Sequence, residues 1–434
     1  MFPADEHPFL AAIVSRPADD EPRLVYADYL DETGLPRDAA RAELVRVQIA
    51  LNRLPEDDTR HVVLTEREAE LLEANRALWT APLAKLGAKF HFRRGLPDAV
   101  VMDASAFLER GEELLDNTPA GACRSFVSRL RLNDAARSLP AIAASPLLSR
   151  ISELDLGDND IGNGGIEVLL ASGFLRNIRA LELGHNRLDN AGAVSISRAD
   201  TLPKLESLAL SDNDVGAEGV AALSSSPFLA GLLELDLAGN EVNDAGLHSL
   251  IAGPATRRLK QLRLAGNLVR DGLVAYAGSK LFERVASDNS HLDLHRCGIE
   301  AAGAAALAAS EAFRGIEHLN LDENYLGDSG ATAISGAVQL RTLRLVRNQI
   351  TDAGASALLK LPNLQLLDLS NNRLTKRGVE SVKAAARDRG FTVIALNNGT
   401  ETMVALPAPP AAQTEIEQVA NLKRGVAHPA RPGY

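Results

Sequence analysis

Cysteine is nearly absent. Cys123 and Cys297 are the only two in 434 residues, which excludes a disulfide framework and a four-thiolate zinc site. Aromatic residues are also sparse, at 4% with one tryptophan, so a binding surface built on aromatic anchors has little to draw on. Positive charge is outweighed: 46 Lys and Arg face 57 Asp and Glu, giving a formal net charge of −11 and a pI near 5.4. That balance argues against nucleic-acid binding, which requires a basic face. No stretch approaches the roughly 18 consecutive apolar residues of a membrane span, so no membrane association is expected. The opening Met1-Phe-Pro-Ala-Asp-Glu-His-Pro lacks the basic-then-apolar order of a signal peptide, and a cytoplasmic chain is expected. Phosphate loops, Gly-x-Ser-x-Gly elbows and His-Glu-x-x-His helices are missing too. The expectation is a protein that is not an enzyme, with no cofactor and no metal.

What is present is a repeat. Glu-Leu-Asp-Leu-Gly-Asp-Asn (153–159) returns as Ala-Leu-Glu-Leu-Gly-His-Asn (180–186) and Ser-Leu-Ala-Leu-Ser-Asp-Asn (207–213), and continues at Asn240, Asn267, Cys297, Asn324, Asn348 and Asn372. The intervals are 27, 27, 27, 27, 30, 27, 24 and 24 residues, and Arg-Leu-Arg-Leu-Asn-Asp-Ala (129–135) is a degenerate earlier copy. Each phrase alternates apolar and polar, which predicts a strand with one buried face. The leucines point to a core and the residues between them to the opposite side. The Asn is placed to bond backbone groups of the turning chain, and stacked repeats make it a ladder. Cys297 stands in that ladder with a weak S–H donor, a structural role.

Six residues after the ladder position comes glycine, at 165, 192, 219, 246, 303, 330, 354 and 378, and four further on an aliphatic residue such as Leu169, Leu250 or Leu358. Ala-rich sequence with apolar spacings of three and four follows, which predicts a helix. Strand, turn and helix recur nine or ten times. After Asn267 the glycine, Gly272, comes one residue early, and the 30-residue spacing predicts a local bulge.

These residues resemble the ribonuclease-inhibitor subclass of leucine-rich repeats over about residues 125–390. The resemblance implies an α/β fold: a leucine-rich-repeat solenoid, horseshoe-shaped, with a parallel sheet on the concave side and helices on the convex side. The low cysteine and tryptophan content sets the chain apart from proteins that bind ribonucleases. At the N-terminus, helical faces are marked by Phe9, Leu10, Ile13 and Val14, then Leu24, Tyr26, Ala27 and Leu30, then Leu44, Val47 and Leu51, then Ala69, Leu72 and Trp79. Pro-Arg-Leu-Val-Tyr-Ala-Asp-Tyr-Leu-Asp-Glu (22–32) and Arg-Ala-Glu-Leu-Val-Arg-Val-Gln (41–48) resemble the repeat-companion domain of bacterial repeat proteins, a small all-α module.

The expected division is therefore a helical domain over residues 1–54, a helical linker and N-terminal cap over 55–120, the solenoid with its C-terminal cap over 121–398, and a Pro/Ala-rich tail, mostly disordered, over 399–434. Lys376–Arg389 predicts a last helix stopped by Gly390, and 391–396 a closing strand. Within the tail, Thr414-Glu-Ile-Glu417 is a capping-box pattern leading to Val419 and Leu422.

An unidentified protein partner is expected on the concave face, bound by a monomeric chain. The outward strand residues are Arg131, Asp155, Glu182, Ala209, Asp236, Arg263, Asp293, Asn320, Arg344 and Asp368. The partner-binding candidates are Asp155, Glu182, Asp236, Arg263, Asp293, Arg296, Arg344 and Arg347. His291, Asp293 and His295 alternate along one strand, with His318, Asn320 and Asp322 matching in the next. The pattern reads as cross-strand polar pairs, and the same groups also suit a metal ion or a pH response. Two other readings stay open: an enzymatic or switch activity in the N-terminal domain, with Arg23, Tyr26, Asp28 and Glu32 as its polar residues, and a purely structural repeat protein.

Overall fold

The computed structural model describes residues 6–16, 19–54, 59–81, 86–115, 127–287 and 289–398. Cys123 and the tail from residue 399, including the 414–422 pattern, lie outside these. The chain forms two compact units, residues 1–213 with 226–232 and residues 214–225 with 233–434. Among the described residues no helix is long and apolar enough to cross a membrane.

The first unit opens with α1 (His7–Ser15), α2 (Glu21–Glu32), α3 (Pro36–Arg53) and α4 (Thr59–Thr80). Proline in the first turn of the first three supplies a preset φ where no amide donor is needed. Leu10, Ile13, Tyr26, Ala27, Leu30, Leu44 and Val45 are buried. Leu44, Val47 and Leu71 form a core, with Leu64, Leu72, Trp79 and Phe92 packed against it. Ala69, expected on the packed face of α4, is exposed. The stripe runs through Leu64, Leu71, Leu72 and Trp79, and Ala69 lies about 100° round the helix from residue 68 on that stripe.

A hairpin follows, β1 (Lys89–Arg93) antiparallel to β2 (Leu96–Asp103). Its two-residue turn, Arg94-Gly95, has φ of 50° and 79°, the left-handed pair that suits the strand twist. Gln48 on α3 fastens this turn: Gly95 N–H donates to its Oε1 (2.6 Å) and its Nε2 donates to Phe92 O (3.0 Å). A Cβ on Gly95 would lie 2.1 Å from Val45 Cγ2, so only glycine permits this approach.

α5 (Ala104–Leu114) leads to β3 (Arg129–Asn133), which pairs in parallel with β2, so the hairpin covers the edge of the first repeat. Parallel pairing continues through β4 (Glu153–Asp155), β5 (Ala180–Glu182) and β6 (Ser207–Ala209), with Leu130, Leu154, Leu181 and Leu208 in register and buried. Between the strands run α6 (Leu139–Ala143), α7 (Gly162–Leu170) and α8 (Asn190–Ser197).

In the second unit, α9 (Ala217–Ser225) and β7 (Glu234–Asp236) come first, then α10 (Asp244–Ala252) and β8 (Gln261–Arg263), which pairs with β7. The 30-residue repeat holds two helices, α11 (Gly272–Ala277) and α12 (Lys280–Ser287), in place of one. After them the strand ladder restarts as a separate five-stranded sheet. It comprises β9 (His291–Asp293), β10 (His318–Asn320), β11 (Thr342–Arg344), β12 (Leu366–Asp368) and β13 (Thr392–Ile394). The expected bulge is thus an extra helix and an interruption of strand pairing. α13 (Ala301–Ala309), α14 (Gly327–Ile334), α15 (Asp352–Leu358) and α16 (Lys376–Arg389) complete the unit. Gly390 ends α16 with φ of 75°, and β13 closes the sheet, as the sequence predicts.

The ladder asparagines are buried. Asn186 donates to Leu156 O (2.8 Å) and Gly184 O (3.0 Å) and accepts from the amides of Asn159 and Ile161, both 3.2 Å. One side chain therefore ties its own turn to the preceding repeat. Cys297 copies the donor half: its Sγ points to Leu264 O (3.4 Å) and His295 O (3.5 Å), and burial pushes its thiol up to about 12, so it stays protonated. One further ladder residue escapes the sequence pattern: Asn398 donates to Leu369 O (2.8 Å) and closes the array. Before the ladder position the backbone is left-handed. Asp134, Asp158, His185, Asp212, Arg296, Glu323, Arg347, Asn371 and Asn397 have φ between 51° and 59°, and Gly239 and Gly266 take the same place.

Candidate functional site

The outward strand residues take the paired register Arg131–Asp155–Glu182–Ala209 in the first unit, and Asp236–Arg263 and Asp293–Asn320–Arg344–Asp368 in the second, where Asp368, expected on the open face, is buried beside Arg344. Their carboxylates have a task that alternation alone does not reveal. Asp155 accepts the N–H of Gly157 (2.9 Å), Glu182 that of Gly184 (3.1 Å), Asp236 that of Ala238 (2.9 Å), Asp293 that of His295 (3.0 Å) and Asp368 that of Ser370 (3.0 Å). Asn320 makes the same bond to Asp322 N–H (3.0 Å). Each holds the turn that ends its own strand, an Asx-type motif. The excess of acids in this row follows from that bond, since Asp and Asn reach it with little strain.

The cations are deployed against these acids. In the first unit Arg131 lies between Asp155 (3.0 Å) and Asp158 (2.9 Å). In the second, Arg263 contacts Asp236 (3.2 Å), and Arg296 and Arg347 share Glu323 (2.8 and 3.1 Å). Arg263, Arg296 and Arg347 remain exposed. Arg344 differs: only 12% of its side chain is exposed, clasped by Asp322 (2.5 Å) with Asp368 at 3.9 Å. Burial raises the Asp322 carboxyl against the opposing pull of Arg344. Around Arg344 the face is therefore a closed ionic knot, whereas Arg263, Arg296 and Arg347 present charge to solvent.

His291 and His318 stack with ring centroids 4.1 Å apart and planes 12° from parallel. Their Nδ1 atoms are engaged by Ser290 Oγ and Thr342 Oγ1, both at 3.0 Å. His295 turns to Asp293 (2.9 Å), which raises its pKa; burial opposes ionisation of Asp293, but the bonds from His295 outweigh it and the carboxyl sits low. Among the described residues no three donors converge as metal ligands.

The four polar residues of α2 do not meet. Tyr26 is buried and donates to Glu6 Oε2 (2.6 Å), its phenol pushed up by burial. Arg23 is buried, donates to Asp19 O (2.7 Å), and is lowered to about 10 by desolvation. Asp28 is exposed and pairs with Arg46 (2.7 Å), and Glu32 is exposed. Neither of two clefts in this region, about 460 and 380 Å³ in volume, is lined by any of the four. Convergence in a pocket, which an active site requires, is not what they offer.

Five stretches, residues 151–170, 174–197, 201–224, 232–250 and 316–335, match the family described as Leucine Rich repeat, and residues 338–376 match Leucine Rich repeats (2 copies). The fold is accordingly a leucine-rich-repeat solenoid, a class of proteins that generally serve as protein-interaction scaffolds. Among solved structures, a chain of the mouse RP105/MD-1 complex aligns at 20% identity with a TM-score of 0.39, over 69% of this chain and 51% of that one. The present chain thus spans about half the length of that protein. An internalin (InlF) from Listeria monocytogenes str. 4b F2365 aligns at 20% identity with a TM-score of 0.35, over 61% and 89% of the two chains. Among curated proteins none matches.

Proposed function

We propose that this chain is a non-enzymatic scaffold of the ribonuclease-inhibitor-like kind, which captures a protein partner on the sheet side of its repeats. The observation that carries the reading is the combination of exposed Arg263, Arg296 and Arg347 with carboxylates already fixed by their own turns. Charges held in place before binding lose little conformational freedom on association, and arginine is favoured at interface hot spots. With few aromatic anchors, recognition rests on electrostatic complementarity, which governs association rate and specificity.

The test is affinity capture from the source cells with the full chain. Replacing Arg263, Arg296 and Arg347 by Glu is expected to abolish capture while circular dichroism stays unchanged. The control reverses Glu167, Glu218 and Lys383 on the helices. Loss of the partner by the helix-side variant, with normal capture by the sheet-side variant, refutes the proposal.

A further inference from the structure

The residue after each ladder position lies on the rim of the sheet, and in most repeats it is polar: Asp160 and Arg187 in the first unit, Asp214, Glu241, Gln349 and Arg373 in the second. Three consecutive repeats of the second unit depart from this, with Leu268, Gly298 and Tyr325. Leu268 is 52% exposed and Tyr325 60%, an unusual placement for two large side chains in one row. Between them Gly298, with φ of 69°, is buried. The position a Cβ would take there is 3.5 Å from Leu268 Cδ2 and 3.1 Å from Arg270 Cγ. Leu268 and the stem of Arg270 therefore flank the glycine, and Tyr325 N–H, in the next repeat, donates to Ile299 O (2.8 Å) beside it. Arg270 is exposed, and the exposed Arg296 and Arg347 share a single carboxylate, Glu323, so cations border the strip on this side. The exposed acids Asp271 and Glu300 belong to the starts of α11 and α13.

We propose that this strip is a dock for a segment of the same chain, residues 414–422, Thr-Glu-Ile-Glu-Gln-Val-Ala-Asn-Leu. Ile416, Val419 and Leu422 recur at spacings of three, which puts them on one face of a helix, and the capping box Thr414–Glu417 favours that helix. Those three side chains cover Leu268 and Tyr325. Glu415 and Glu417 flank Ile416 and bring carboxylates to Arg270 and to Arg296, which shares Glu323 with Arg347. The chain can reach. Tyr325 is three repeats from Asn398, about 15 Å at the spacing of neighbouring strands, and Leu268 lies two repeats further, beyond the break between β8 and β9. Residues 399–413 span up to about 50 Å when extended. A tether of that length holds the segment at an effective concentration of about 1 mM, enough for an intrinsically weak contact to stay largely closed.

Hydrogen exchange on the full chain tests this. If the contact alone has a Kd of about 100 µM, exchange over 414–422 is slowed about tenfold relative to an unstructured peptide. Leu268→Ser with Tyr325→Ser is expected to abolish the protection, and so is Ile416→Ser, which alters no residue of the solenoid. Exchange at the unstructured rate in the parent overturns the proposal. So does protection that survives the rim substitutions, which would seat the segment elsewhere. Protection that disappears on dilution also overturns it, in favour of docking onto a second copy.

Discussion

Removing one ladder asparagine is the most direct probe of what holds the repeats together. In Asn186→Ala the side chain that serves four backbone groups becomes a methyl. Gly184 O keeps a second donor, Asp158 N–H at 3.0 Å. The amides of Asn159 and Ile161 and the carbonyl of Leu156 lose the bond that Asn186 makes to each. A buried polar group left without a partner costs about 1–3 kcal/mol. Three of them, softened by partial relaxation and water entry, give an expected loss of about 3–5 kcal/mol, a large part of the roughly 5–15 kcal/mol that stabilises a typical domain. Asn186→Cys should be milder, at about 1–3 kcal/mol, because a thiol keeps the donor to the carbonyls, as Cys297 does, and loses only the acceptor. Urea unfolding followed by circular dichroism measures both, with unchanged m-values required for the comparison. An alanine variant within about 1 kcal/mol of the parent would show that the ladder is ornamental. A cysteine variant as damaged as the alanine one would refute the account of Cys297.

Two further outcomes follow from the same geometry. Gly95→Ala adds a methyl 2.1 Å from Val45 Cγ2 at a left-handed φ, so it should destabilise by more than about 3 kcal/mol and expose the hairpin amides to exchange. A melting temperature within two degrees of the parent's would contradict the seating of the hairpin on α3. His295 should titrate above the ordinary histidine value of about 6.5, and Asp293→Asn, which keeps the turn bond, should bring it down. Its contribution to stability is full below that ordinary value and fades as pH rises past its own raised pKa; on the acid side it is lost once Asp293 takes up a proton. An NMR titration of His295 that ignores the Asp293 substitution rules out the coupling.

Much of the fold was legible because the repeat states the same constraint many times. Alternation of Leu154, Leu181, Leu208 and Leu235 with polar neighbours set the strand faces, and the structure keeps that register within each unit, as Leu154–Leu181–Leu208 and as Leu235–Leu262. The closing helix and strand were readable from Gly390 and the apolar run after it. What escaped depended on single contacts. Asn398 lies 26 residues after Asn372, outside the spacings of its neighbours, and is recognised only by its bond to Leu369. The extra helix after Asn267 shows in sequence only as three added residues and an early glycine, Gly272. Ala69 carries too little apolar surface to set the packed face of α4. For the candidate site, position was legible and role was not: periodicity tells that Asp155 and Asp368 point outward, but not that each is bonded to an amide two residues on, nor that Arg344 is enclosed.

That amide bond separates two properties usually tied together. A carboxylate at the end of a strand uses one oxygen for its own turn, and that oxygen is retained when the group becomes an amide. Asn320 already shows the neutral form, with the 3.0 Å distance that Asp293 and Asp368 also have. Outside the knot around Arg344, the electrostatic pattern of the face can therefore be rewritten one repeat at a time between Asp and Asn while each turn keeps its bond. Selection, or an engineer, can retune what such a surface attracts without first finding a compensating change in the fold.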